Sequence, residues 1–284
     1  MKNKIKLSNV TTYKFGGYCD NFYRVSKEDK IYFKEIFSDK DCFILGKGSN
    51  VVFSDDFYDG TVISPNFNDI NYDRNLSQIT IGASFYLPDL ARYYKDNNLI
   101  NAEFLIGIPG SVGGAVKMNA GAYGWEFADI LLSVEVYNLD TNRIETLLNK
   151  DLNFAYRYSD NLDNKIILSA TLSAIEGDPK VIKDKLKHNL VYRKKTQPAG
   201  IYNAGSVFKN TEDYSAGELI DKSGLKGYTI EGVKVSEKHA NFFVASKGAH
   251  SSDLYKLVDH VKETVDSKYG VSLEKEILFV GKFD

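Results

Sequence analysis

Two segments of the sequence have the residue types to hold a phosphorylated ligand. Gly46-Lys47-Gly48-Ser49-Asn50 directly follows an apolar strand-like run, and small residues there let successive backbone N–H groups approach a phosphate. The same loop also reads as a tight turn between strands. It lacks the full Gly-x-Gly-x-x-Gly pattern and no long helical pattern follows, so it is neither a nicotinamide fingerprint nor a Walker loop. The run Gly107-Ile-Pro109-Gly110-Ser111-Val-Gly113-Gly114-Ala115-Val-Lys-Met-Asn119-Ala120-Gly121-Ala122-Tyr123-Gly124 is denser in glycine. Each glycine weakens a regular element by roughly 0.5–1 kcal/mol relative to alanine. The run therefore reads either as a close-packed turn or as a wall against which a large planar or phosphorylated ligand lies. His188, His239, His250 and His260 have no metal-ligand spacing.

These residues need elements to position them. Cys42 to Leu45, Val51 to Phe53 and Thr61 to Ser64 are short β-branched or aromatic runs broken by Gly, Asn and Asp. Gln78 to Ile81 reads as a further strand. Leu87-Pro88 opens a helix with proline in its first turn. Strands are expected over Leu132 to Tyr137 and Ile166 to Leu172. Asp178-Pro179 then supplies an N-cap pair for a helix running toward Arg193, and a domain boundary is expected near Asp178. After Ser251 and Ser252, Leu254, Leu257, Val258, Val261 and Val265 recur at helical spacing until Gly270. Val271 to Val280 reads as a last strand.

Composition narrows the class of function. The chain has 284 residues, 43% hydrophobic and 26% charged, the balance of a globular protein of two or three packed units. A formal charge of -2 gives no global field for nucleic acid or an acidic membrane, so anionic ligands must meet local clusters. Cys19 and Cys42 are too few for a disulfide framework or a four-ligand zinc site. Neither a signal peptide nor a membrane span is expected, and a cytoplasmic location fits best.

The two glycine segments stand in order with Phe154-Ala-Tyr156-Arg157-Tyr-Ser159, Arg193-Lys-Lys-Thr196-Gln197-Pro198, Ala204-Gly205-Ser206-Val207-Phe208-Lys209-Asn210 and Val235-Ser236-Glu237-Lys238-His239-Ala240-Asn241-Phe242. In that order the chain closely resembles the UDP-N-acetylenolpyruvoylglucosamine reductases from Thr12 to Gly281, in their shorter form. The resemblance implies an α+β protein. Residues 1–178 would form a FAD-binding domain of the vanillyl-alcohol-oxidase (PCMH) type, with lobes of about 1–65 and 66–178, and residues 179–284 a substrate domain. It implies non-covalent FAD, with NADPH as co-substrate and UDP-N-acetylglucosamine enolpyruvate as substrate. No nucleic acid, membrane or required protein partner is implied.

The resemblance also implies site residues. Gly46, Lys47, Gly48, Ser49 and Asn50 would hold the FAD pyrophosphate. Gly110, Ser111, Gly113, Gly114, Asn119, Ala120, Gly121 and Ala122 would line the flavin site, and Arg193, Lys209 and Asn210 would meet the substrate. Arg157 and Glu276 would stabilise charge developing on the substrate carboxylate, and Ser206 would deliver the proton. A guanidinium stays charged and can fork onto a carboxylate. Glu276 facing that carboxylate would act as the protonated acid, because two like charges repel. Serine is a weak acid, yet a dianionic enolate is basic enough to take its proton. Two departures from the family pattern are visible: Thr211 where proline is usual, and Leu278 where arginine is frequent. Another FAD oxidoreductase of the same fold and a non-catalytic flavin-binding module are the alternatives.

Overall fold

Apolar side chains alternate along Gln78–Gly82 and Leu131–Asn138, where Ile79, Ile81, Val134 and Val136 are fully buried, as one buried sheet face requires. The computed structural model describes residues 2–36, 42–198, 200 and 202–283. Its chain divides into two units. The first comprises Met1–Lys2, Phe22–Lys47 and Gly60–Arg193; the second comprises Asn3–Asn21, Gly48–Asp59 and Lys194–Asp284. This division differs from a single boundary near Asp178.

The first unit is built on a five-stranded antiparallel sheet in the order Arg143–Leu148, Leu131–Asn138, Lys165–Ser173, Gln78–Gly82, Ile70–Asp73. Register is fixed by pairs such as Val134 with Ala170 and Ala170 with Ile81, whose neighbours on the apolar face would all be exposed by a one-residue slip. Helix Leu87–Asp96 carries proline in its first turn and buries Leu87, Leu90, Ala91 and Tyr94, the one-face spacing of an amphipathic helix. Helix Pro179–Thr196 starts as expected, with Lys180 N donating to Asp178 Oδ1 at 2.7 Å. Its buried Ile182 and Leu186 belong to the core of the first unit, so the helix is not the beginning of the second. Strand Cys42–Ile44 pairs in parallel with Tyr58–Pro65.

The second unit has its own core around Phe208, Phe243, Val233 and helix Ser251–Tyr269. Leu254, Leu257, Val258, Val261 and Val265 of that helix are fully buried; each such side chain contributes about 1.5–3 kcal/mol by leaving water. Gly270 ends it at φ 66°, its N–H donating to Asp266 O at 2.7 Å, the left-handed cap that glycine favours. Three short strands, Thr229–Ile230, Val233–Val235 and Phe243–Ala245, form an antiparallel sheet. Leu278–Val280 pairs in parallel with Val51–Phe53.

The expected strand from Val271 is shorter than the sequence suggests. Glu276 N and Ile277 N both point at Val207 O, at 2.8 and 3.4 Å, and two donors on one acceptor break a ladder as a bulge does.

Candidate active site

Backbone amides distinguish the two glycine segments. Among the described residues, none of the five N–H groups from Gly46 to Asn50 donates to an acceptor in the chain. The loop instead offers carbonyls and side chains: Gly48 O accepts from Thr12 N at 3.0 Å, and Asn50 Nδ2 donates to Glu276 O at 2.9 Å. Gly48 has φ 64°, and a Cβ on it would lie 2.2 Å from Val10 O; only glycine fits. Five open amides on a glycine turn suit an anionic diphosphate.

From Val112 to Gly114 the amides are used differently. Ser111 caps the short helix Val112–Lys117. Val112 N donates to Phe85 O at 3.0 Å, Gly113 N to Ala83 O at 2.8 Å, and Gly114 N to Ser111 Oγ at 3.5 Å. These amides are committed to the protein. A Cβ on Gly113 would sit 3.2 Å from Ala83 Cβ, so this glycine serves close packing of helix on strand. Gly110 O accepts from Leu87 N at 3.0 Å. A Cβ on Gly46 would lie 2.7 Å from Ser111 Oγ, which brings the start of the open loop against this cap.

Gly121–Ala122 and Trp125–Glu126 form a two-residue hairpin. Its turn residues Tyr123 and Gly124 have φ 58° and 80°, the positive pair that matches strand twist. Asn119 is 1% exposed, and its side chain is committed to the protein. Its Nδ2 donates to Glu126 Oε2 at 2.7 Å and to Ala155 O at 3.0 Å, while its Oδ1 accepts from Ala128 N at 3.1 Å. The neighbouring Ala120 accepts at its carbonyl from Phe127 N at 2.9 Å.

Arg157 lies in a tight turn closed by Ala155 N to Tyr158 O and Tyr158 N to Ala155 O, both 3.1 Å. Its φ is 54°. Nη2 donates to Gly121 O at 3.1 Å, Nη1 is 3.9 Å from Glu126 Oε1, and the guanidinium carbon lies 4.7 Å from the centre of the Tyr156 ring. Arg193 packs its Cδ against Gly107, where a Cβ would come within 2.7 Å. Burial pulls the Arg193 pKa down, opposed by the nearby phenols of Tyr123 and Tyr86; it is not a solvated helix end.

In the second unit, Ser206 and Glu276 are brought to one ladder. Ser206 bridges Phe242, and Val207 N donates to Asn241 O at 2.9 Å, while Val207 O accepts from Glu276 N at 2.8 Å. Asn241, 3% exposed, holds the segment twice more: its Oδ1 accepts from Phe208 N at 3.0 Å and its Nδ2 donates to Phe208 O at 2.8 Å. Val207 and Phe208 are fully buried, with Ser206 and Glu276 half-buried beside them. His239 Nδ1 accepts from Asn241 N at 3.3 Å, and burial, then Lys226, hold its pKa below the usual range, so it supports this ladder in its neutral form.

The remaining residues expected at the substrate have protein partners. Lys209 Nζ donates to Glu274 Oε1 at 2.6 Å, and Asn210 Oδ1 accepts from Ala216 N at 3.0 Å at the start of helix Ala216–Lys222. Thr211 donates its N–H to Tyr214 O at 3.0 Å, a bond proline could not make. Leu278 N donates to Asn50 O at 3.0 Å, tying this departure to the open loop by main chain alone. In the first unit Asn119, already expected at the flavin site, organises the hairpin by holding Glu126, which the sequence did not single out; in the second, Asn241, whose only signal was its place in a recognisable segment, holds Phe208.

Among the described residues no helix is long and apolar enough to cross a membrane, and no group of three or more His, Cys, Asp or Glu side chains is placed to hold a metal ion.

Residues 38–147 match the model of a FAD binding domain, and residues 197–280 that of the UDP-N-acetylenolpyruvoylglucosamine reductase C-terminal domain. The chain is 38% identical to the UDP-N-acetylenolpyruvoylglucosamine reductase of Orientia tsutsugamushi (strain Boryong), over 99% of this chain and 94% of that protein. It is 37% identical to the enzyme of that name from Bacillus subtilis, over 97% and 92%. A crystal structure of the enzyme from Thermus caldophilus superposes with a TM-score of 0.88 at 30% identity, covering 99% of each chain.

Proposed function

The chain belongs to the UDP-N-acetylenolpyruvoylglucosamine reductase family, and from that premise we propose which of its residues carry out the reaction. Its activity is the NADPH-dependent reduction of UDP-N-acetylglucosamine enolpyruvate to UDP-N-acetylmuramate through FAD, a step in peptidoglycan precursor synthesis. Held by the loop from Gly46 to Asn50, FAD would supply the hydride chemistry that links NADPH oxidation to reduction of the enolpyruvyl methylene carbon.

The amides of Gly46 to Asn50 hold the FAD diphosphate. Ser111 supports that loop through its contact with Gly46, and Gly110, Gly113 and Gly114 shape the segment beside it, Gly113 and Gly114 with amides already committed to the protein. Asn119 and Ala120 carry the Gly121–Ala122 hairpin. Addition to the alkene pushes negative charge onto the substrate carboxylate, so donors aimed there lower the barrier. Arg157 supplies a permanently charged fork, and Glu276, acting as the neutral acid, a second donor. Ser206 gives its proton to the carbon that becomes enolate-like. Arg193, Lys209 and Asn210 face the sugar nucleotide. The enzyme acts in the cytoplasm without a required protein partner.

What carries the reading of the catalytic residues is that Ser206 and Glu276, distant in the chain, both flank Val207, whose two main-chain groups bond to Asn241 and Glu276. The test is direct. Purified protein should be yellow with about one FAD per chain, release it on acid precipitation, and, with oxygen excluded, oxidise NADPH beyond the capacity of its own flavin only when the enolpyruvyl sugar nucleotide is present. Flavin that stays on the denatured chain, or NADPH oxidation indifferent to that substrate, would refute it.

A further inference from the structure

Arg157 occupies a backbone conformation that an arginine does not favour. It is the second of the two residues that turn the chain between Ala155 and Tyr158, at φ 54°, where a Cβ is crowded and glycine or asparagine is usual. Such a conformation persists when the surroundings over-determine it, and the surroundings here can be named.

The two ends of the guanidinium meet one rung of the neighbouring hairpin. Nη2 donates to Gly121 O at 3.1 Å, Nη1 stands 3.9 Å from Glu126 Oε1, and Gly121 and Glu126 are directly paired across the strands. Gly121 keeps that rung tight, since a Cβ on it would lie 2.5 Å from Trp125 O. The other oxygen of Glu126 accepts from Asn119 Nδ2 at 2.7 Å, and the same amide nitrogen holds Ala155 O at 3.0 Å. One buried amide thus ties the carboxylate to the residue that opens the Arg157 turn. The Arg157 and Glu126 side chains are 18% and 35% exposed, so their attraction is screened less than that of a surface pair. At 3.9 Å the carboxylate orients the cation by charge without taking one of its hydrogens as a bond.

We propose that Glu126 is a positioning residue for Arg157, fixing the guanidinium fork for the substrate carboxylate, with Asn119 holding Glu126 in place. This rests on the reading of Arg157 as the residue that meets that carboxylate.

The experiment is a double-mutant cycle with the FAD-loaded enzyme, using Glu126→Ala, Glu126→Gln, Arg157→Ala and the double variants, each half-reaction followed by anaerobic stopped flow. Glu126→Ala should slow flavin reoxidation by the enolpyruvyl sugar about tenfold, the loss typical of a group that orients another, and leave reduction by NADPH within about twofold. Glu126→Gln, which still accepts from Asn119 but lacks the charge, should fall between. In the Arg157→Ala background neither Glu126 change should slow reoxidation further. The same loss with and without Arg157, or an equal loss in the NADPH step, makes Glu126 a structural residue and overturns the proposal. If Glu126→Ala fails to fold, Glu126→Gln carries the cycle, and a wild-type rate for it overturns the proposal too. Wild-type reoxidation in Arg157→Ala would sink the role of Arg157 and this inference with it, whereas slowed reoxidation in Arg157→Ala with no coupling to Glu126 sinks the inference alone.

Discussion

In the loop from Gly46 to Asn50 the backbone N–H groups find no acceptor among the described residues, whereas from Val112 to Gly114 every one of them does. Both segments are rich in glycine and both follow apolar residues. In the first, glycine at φ 64° lets the chain take a left-handed turn; in the second, glycine removes bulk so that a short helix can rest on Ala83. Glycine density therefore marks close approach without saying to what. The partner of the backbone, ligand or protein, is read from where its hydrogen bonds go.

Substitutions can break that comparison. Gly48→Ala should have the largest effect: the left-handed backbone costs alanine roughly 1–2 kcal/mol, and its Cβ would meet Val10 O at 2.2 Å. FAD affinity should weaken by about a hundredfold, near 2.7 kcal/mol, in fluorescence titration of the apoprotein. Gly113→Ala should be milder and of another kind, because Ala83 must yield only a few tenths of an ångström. About 1 kcal/mol of stability should be lost by overpacking, measured by urea unfolding, with FAD affinity kept within about threefold. Equal loss of FAD from both variants would erase the distinction. Ser111→Ala should do least, about 0.5 kcal/mol at the low end for an N-cap, because its bond to Gly114 N is long at 3.5 Å; a large loss of FAD there would place the cofactor on the helix cap.

Periodicity made helix Ser251–Tyr269 and the strands around Val134 and Ile79 legible, since each carries its burial pattern in neighbouring residues. Start signals also located helix Pro179–Thr196, but a cap pair says where a helix begins and nothing about what it packs against. Ile182 and Leu186 pack in the core of the first unit, so the expected boundary at Asp178 separates a helix from its own partners. Ser206 and Glu276 were recognisable by the order of motifs, whereas their shared neighbour Val207 depends on pairing between distant segments, which spacing does not encode. Asn119 was expected at the cofactor, and its side chain instead serves Glu126, Ala155 and Ala128. An amide's partners are set by tertiary geometry. The positive φ of Arg157 is invisible for the same reason, since nothing in Tyr156-Arg157 favours it.

The most direct test of the catalytic account is Ser206→Ala, because a proton for the enolate is needed after flavin has been reduced and not before. With FAD content and folding matched to wild type, anaerobic stopped-flow absorbance should show reduction by NADPH nearly unchanged and reoxidation by the enolpyruvyl sugar slowed by roughly 10²–10⁴, the usual contribution of a positioned acid. Ser206→Cys should recover part of that loss, since a thiol also donates a proton. Slowing confined to the NADPH step, or no slowing at all, would make Ser206 a turn residue held by Phe242 and contradict its role as the acid.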